Sequence, residues 1–590
     1  MKAIVLLFDS LKKDWLPPYG GDILAPNFAR LAGHCLTFDN FYVGSLPCMP
    51  ARREMHTGRY NFLHEGWGPL EPFDDSVPQL LTEKGVHTHL VSDHHHYWRE
   101  GGAHYHTSYT TYEHIRGQEG DPWKADLTGT YSSTAASEHV PPPFDRMFRQ
   151  DAVNRSYMAC EQTHCQTLVF DAGLEFLQKN GGAETWFLQV ECFDPHEPFY
   201  TFQEYRDLYP SGYHGRHVDW PSPAPVTEEE VYVQYVQNQY KALVSMIDKN
   251  LGRLLDEMDR QDLWKDTLLM VGTDHGLLLG EHDWWSKGVM PAYNDIANIP
   301  FFLWDPRLKA KAQRRKALAQ NIDVAATLLE YFGLPQPKDM EGKPLAPAAA
   351  NDTPIHDYVL FGYHGGMANI TDGRYVYMRG PAQRENAPLY AYTLIPAHMN
   401  SRAGVAELRD AALAPPFRFT KGCPVLKIDA SRHRHPLMDM HRFGHRLYDL
   451  KKDPGQLHPI RDPETELRLI GAMMDLMEKN DAPREQYERL GLSRDMTAQT
   501  LEQEREAFEK SFIPPILPDC RWDREAASQY LSLAGLFGGA ALEEPFTSFI
   551  RAAGLSHVTC GEIRQFAMTA LPEKQRGLAM MMLAIGRKLD

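Results

Sequence analysis

The sequence predicts an α/β protein: a mostly parallel central sheet sandwiched by helices, a smaller C-terminal antiparallel subdomain, and a helical C-terminal extension. Three observations predict it. Short apolar runs at 4–8, 87–92, 186–191, 268–272 and 299–304 are bounded by Gly, Pro or Asp and separated by helical patterns, the arrangement of strands buried on both faces. From about Thr353 the texture changes to short alternating strands, and after Pro463 it becomes helical and polar. The chain of 590 residues also exceeds what one core holds. It divides into an α/β domain over 1–350, a subdomain completing the fold over 351–463, and the extension over 464–590.

The first apolar run, Lys2 to Phe8, is too short for a signal peptide, ends on Asp9 and lacks a small-residue cleavage site. It reads as the first strand, and the protein is expected in the cytoplasm. The clearest helix starts near Thr227, where Thr227 and Glu230 have capping-box spacing. Tyr240, Leu243, Val244, Ile247, Leu251, Leu254 and Leu255 then recur at helical spacing, a core stripe. Residues 359–363 and 367–378 read as antiparallel strands with a tight turn at Asp372-Gly373. Near the end, Leu578, Met581, Met582, Ile585 and Leu589 form one apolar face, for the chain's own core or a homo-oligomer contact.

Composition narrows the function. A formal net charge of −17 argues against a nucleic-acid partner, and no apolar stretch is long enough for a membrane span. Eight cysteines at wide, irregular intervals form no CxxC pair, which fits reduced thiols. In open sheets of this kind ligands collect at the carboxyl ends of the strands. Asp9, Asp93, Asp194 and Asp274 each follow such an end, so four strands deliver acids to one edge.

Cys48-Met49-Pro50-Ala51-Arg52 follows the first strand, and the residues after it can open a helix. Here the chain resembles the sulfatase family, of the alkaline-phosphatase-like superfamily, whose signature has a cysteine converted to formylglycine and an arginine closing the five. Ala51 stands where Ser is commoner. The resemblance extends to about Pro463 and takes in Asp194-Pro195-His196-Glu197-Pro198, Thr273-Asp274-His275-Gly276, the stretch from Gly280 to Gly288, and Leu447-Tyr448-Asp449-Leu450 with Asp453-Pro454. It implies a sulfuric ester hydrolase acting on an aryl or carbohydrate sulfate, with a formylglycine-generating enzyme as maturation partner.

Hydrolysing a sulfate ester needs a nucleophile, a cation on the ester oxygens and an acid for the leaving group. The resemblance assigns the first to Cys48 as the aldehyde hydrate, one hydroxyl attacking and the other expelling sulfate by collapse. Arg52 orients it. A divalent ion, Ca²⁺ or Mn²⁺, is implied at Asp9, Ser10, Cys48, Asp274 and His275. Ser10 replaces the usual second aspartate and His275 a common Asn, which favours a nitrogen-tolerant ion. Lys287 is expected on an ester oxygen, His196 as general acid, and His95 as the base for the remaining hydroxyl. Tyr105, Tyr112, Arg116, Trp123, Trp284 and Trp285 are aromatic or cationic residues that suit either a sugar or aryl group or the core. The main alternative is a phosphonate monoester or phosphodiester hydrolase with the same nucleophile, a family that also lacks the second aspartate and uses an Asp-His pair. A non-catalytic sulfated-ligand binding protein and a Cys-His thiol hydrolase are the readings from other classes.

Overall fold

The computed structural model describes residues 1–129, 131, 144–431, 439–511, 522–523 and 557–558. Eight strands form the central sheet, in the order Gln313–Arg315, Leu36–Phe38, Phe301–Trp304, Thr267–Thr273, Lys2–Phe8, Trp186–Cys192, His87–Ser92 and Thr111–His114. Only Phe301–Trp304 runs against its neighbours. The five expected strands are present. The three others are short or, for Thr111–His114, largely exposed at the sheet edge, so none carries an apolar run to announce it.

Lys2–Phe8 lies at the centre, and its side chains alternate between two cores. Ile4, Leu6 and Phe8 enter one, with the helices Cys165–Asn180 and Glu230–Arg260. Ala3, Val5 and Leu7 enter the other, with Val77–Glu83 and Ile322–Tyr331. The expected stripe from Tyr240 to Leu255 is buried along Glu230–Arg260. Its expected capping box is not formed: the helix begins three residues later, with Glu229 as its cap and no side-chain capping bond. The Glu228 carboxylate instead accepts from the Thr227 N–H at 2.8 Å.

The second sheet has the order Arg446–Asp449, Tyr375–Arg379, Ala368–Thr371, Val359–Tyr363 and Ser45–Leu46. Its hairpin turns at Asp372-Gly373. The Asp372 carboxylate accepts from the N–H groups of Arg374 and Tyr375 at 2.9 and 2.7 Å, and Gly373 takes φ +82°. Ser45–Leu46 closes this sheet by parallel pairing to Gly362 and Tyr363. Residues from both sides of position 350 therefore share one sheet, and the strand just before Cys48 belongs to it.

The helices Pro463–Lys479, Arg484–Leu490 and Ala498–Ser511 confirm a helical region after Pro463. Leu469, Ile470, Met473 and Met477 pack with Leu360, Ile370 and Tyr377. The face at Leu578 to Leu589 lies outside the described residues. The six described cysteines are all free thiols. Among the described residues no helix is long and apolar enough to cross a membrane.

Buried histidines contribute to the acid sensitivity of this fold. Burial, the largest cause in each case, pulls His56 and His164 down to about 4 and His64 to about 3. The unfolded chain then binds more protons below pH ~6.5. Stability is complete above that pH and falls as pH drops toward the folded values, by roughly 2 kcal/mol per histidine at pH 4.5. Urea midpoints at pH 7.5 and 4.5 measure the drop, and His64→Gln should reduce it. An unchanged midpoint would contradict neutral burial.

Candidate active site

The site is built where the helix that opens on Cys48 meets the central sheet. Cys48 is the first residue of the helix Cys48–Thr57, all ten residues of which are buried. Glu54 fastens this helix to the strand Ser45–Leu46. Its carboxylate accepts from the N–H groups of Gly44 and Ser45 at 2.7 and 2.5 Å. Gly44 is required for that approach, because a Cβ there would lie 2.6 Å from Glu54 Oε2. Burial pushes Glu54 up to about 8.

Arg52, one turn after Cys48 on the same helix face, is the hub. Its Nη1 donates to Asp274 Oδ2 at 2.7 Å and to the Cys48 carbonyl at 3.1 Å, and stands 3.2 Å from Asp9 Oδ2. Its Nε donates to Glu191 Oε2 at 3.2 Å, and the Tyr97 hydroxyl donates to the same carboxylate. Burial alone would raise Asp9, but His196, His94, Arg52 and His275 outweigh it and hold the carboxyl well below its usual range. Burial, then the negative charges of Asp9 and Asp274, push the Cys48 thiol well up, so unmodified Cys48 is a protonated thiol.

Asp9, Cys48, Asp274 and His275 offer donor atoms that all lie within 4.8 Å of one another. His275 Nδ1 donates to the Gly276 carbonyl at 2.8 Å, which leaves the Nε2 lone pair facing this group, 3.2 Å from Cys48 Sγ. Asp9 Oδ2 is buried and accepts no hydrogen bond. Two carboxylates and one imidazole, with Asp9 Oδ2 engaged by the ion pairs to Arg52 and His94 at 3.2 and 3.3 Å, fit a divalent cation. Ser10, expected as a ligand, lies outside this donor group and braces its carboxylates instead: its hydroxyl donates to Asp9 Oδ1 at 2.8 Å and its N–H to Asp274 Oδ1 at 3.1 Å. It does so from left-handed backbone, φ +64°, a strain that recurs at functional sites.

Lys287 is half-buried and paired to Glu197 Oε2 at 3.1 Å. Against burial, Glu197 and the negative charge of Asp9 raise its pKa, so it stays protonated. Glu197 is held at about 2: burial opposes this, but Lys287 and His196 prevail. His196 Nδ1 donates to the Glu197 carbonyl.

One further expectation is corrected. His95 does not reach the group around Cys48; its Nε2 faces Glu119 Oε2 at 3.4 Å. The histidine that does is His94, whose Nε2 is 3.3 Å from Asp9 Oδ2, because the 3₁₀ turn His95–Trp98 begins one residue after it. The four strand-end acids split into two pairs. Asp93 and Asp194 are bridged away from Asp9 by Gln118 Nε2 at 2.9 and 3.0 Å, and burial pushes Asp93 up to about 7. The aromatic set is largely structural: Tyr105 is buried with its hydroxyl on the Gly68 carbonyl, Trp285 Nε1 donates to Glu228, and Arg116 is bidentate to Asp121. Trp123 stacks edge-on to Tyr157.

Glu191, Tyr97, His94 and Glu197 were not singled out from the sequence. A glutamate at the end of the apolar run 186–191 was the one signal for Glu191. Glu197 sat inside the quoted Pro-His-Glu-Pro segment.

The sulfatase family model matches residues 2–334. The chain belongs to the sulfatase family. This is a family of sulfuric ester hydrolases. An N-acetylglucosamine-6-O-sulfatase of Bacteroides thetaiotaomicron is 23% identical over 402 residues, covering 59% of this chain and 71% of the relative. A protein solved with its substrate D-glucosamine-2-N,6-O-disulfate superposes with a TM-score of 0.55 at 15% identity, over 81% of this sulfatase and 98% of that chain. The phosphonate monoester hydrolase of Agrobacterium radiobacter gives the same TM-score, 0.55, and identity, 15%, over 81% and 95%. At that identity both establish the fold alone, which is the one the sequence predicted.

Proposed function

We propose that this sulfatase hydrolyses sulfate monoesters of the aryl or carbohydrate type, with residue 48, matured to formylglycine, as the nucleophilic position. The observation that carries the reading is the convergence, in one buried group, of Cys48, Asp9, Asp274 and His275, with the protonated Lys287 acting on Cys48 and the loop histidine His196 on Asp9. Asp9, Asp274, His275 and residue 48 would hold one divalent ion, and the imidazole supports manganese over calcium. When bound, that ion neutralises ester oxygens, and the hydrated aldehyde supplies the attacking hydroxyl.

The chain's own residues do the rest. Arg52 holds Asp9 and Asp274 at fixed separation and orients the carbonyl of residue 48. Ser10 sets the rotamer of Asp9. Lys287, kept charged by Glu197, stabilises charge on the sulfuryl oxygens. Burial, then Lys287, lower the pKa of His196 against the pull of Glu197 and Asp9; in the imidazolium form, with Nδ1 donating to the Glu197 carbonyl, Nε2 carries the proton given to the departing alkoxide. His95 faces Glu119 rather than residue 48, and His94 Nε2 faces Asp9 Oδ2 at 3.3 Å, where it helps to hold that carboxylate ionised. The glucosamine-sulfate relatives support a carbohydrate ester.

Ser10 and His275 favour a second reading, phosphonate monoester or phosphodiester hydrolysis, and one structural neighbour has that activity in its name. The two separate in a direct comparison of kcat/KM on an aryl sulfate and an aryl phosphonate monoester, using protein with confirmed aldehyde at position 48. We expect the sulfate to dominate. Dominant phosphonate turnover would transfer the assignment.

A further inference from the structure

We propose that His95, His96 and Glu119 form a second metal site, for a zinc-class divalent ion, separate from the group around Cys48. Their donor atoms lie within 4.8 Å of one another, with both histidines buried and Glu119 partly so. Two imidazoles and one carboxylate are the donor set of zinc sites that keep an open position.

The fold leaves His95 short of partners. His95 is 3% exposed, and its Nδ1 is buried with no hydrogen-bond partner. Its Nε2 approaches Glu119 Oε2 only at 3.4 Å, longer than a good hydrogen bond. A buried nitrogen with nothing to bond costs free energy that a bound ion would recover. Glu119 is presented from left-handed backbone at φ +50°, an unfavourable region for a glutamate that persists where the surroundings impose it.

His94 separates the two groups. Its Nε2 faces Asp9, and its Nδ1 lies 3.3 Å from His96 Nδ1. One of those facing nitrogens carries the proton, so His96 Nδ1 is occupied by His94 and Nε2 is the atom for the ion. The local charge is mixed: Arg99 and His114 act on His95, while Glu197 and Lys287 act on Glu119. A cation here is offset by the two carboxylates and sits on the same side as His196, which also acts on His95.

The test counts ions and needs no turnover, so its failure and the failure of the hydrolytic reading are distinguishable. Full-length protein is equilibrated with zinc(II) alone and its metal measured per chain by mass spectrometry after gel filtration, with calorimetric titration alongside. We expect two zinc ions per wild-type chain. Glu119→Gln, which preserves shape, and His96→Gln should each bind one, or bind the second at least about tenfold more weakly, with unchanged circular dichroism. Asp274→Asn should lose the other ion. One ion in the wild type, or two at unchanged affinity in both histidine-site variants, overturns the proposal.

Discussion

Replacing Cys48 with alanine is expected to lower turnover by at least about 10⁴-fold, since removing a nucleophile leaves only binding and electrostatic contributions. Cys48→Ser should fail differently. A serine hydroxyl can attack sulfur once, but it has no second hydroxyl through which the adduct can collapse to an aldehyde. The variant should release about one equivalent of alcohol per chain and then stop, with the sulfuryl group retained at position 48. Burst amplitude and the intact mass of the peptide containing residue 48 read both outcomes. The rival thiolate mechanism, which the upward push on the Cys48 thiol by burial and by Asp9 and Asp274 opposes, predicts instead inhibition of the wild type by thiol alkylation. Steady multiple turnover by Cys48→Ser would remove the formylglycine reading altogether.

The second large effect is structural and catalytic together. Arg52 is 1% exposed and bridges Asp9, Asp274 and Glu191, none of which is exposed. Arg52→Ala leaves three carboxylates facing one another without their shared cation, the case in which breaking a buried pair costs about 3–5 kcal/mol. Arg52→Lys restores a charge but not the fork that reaches Glu191 through Nε and Asp274 through Nη1. We therefore expect only partial recovery of stability and little of activity. Urea unfolding with chelator and with added manganese(II) separates the contributions: the divalent ion should recover part of the loss in Arg52→Ala, because it replaces charge between Asp9 and Asp274 but not at Glu191. A loss below about 1 kcal/mol without metal would show that the carboxylates do not depend on this arginine.

The sequence by itself determined the architecture and the signature positions. Five strands were legible because fully buried strands must be apolar along their length, and the helix over Glu230–Arg260 because one face of it must be. Cys48, Asp9, Asp274, His275, His196 and Lys287 were legible because their types and order match a family signature, and strand ends deliver side chains to one edge. Tertiary structure alone decided which strand-end acids belong together. Gln118 and Gln166 pair Asp93 and Asp194 away from the site, and no local pattern announces a glutamine bridge across 76 positions. It also decided that His94 rather than His95 faces Asp9, since the phase of one short turn sets which of three consecutive histidines points where. Lastly, it placed Ser45–Leu46 in the sheet of the C-terminal subdomain. A two-residue strand has no periodicity to read, and its partner lies more than three hundred residues away. Its pairing exists because backbone groups brought into a buried position must find hydrogen bonds wherever the fold supplies them.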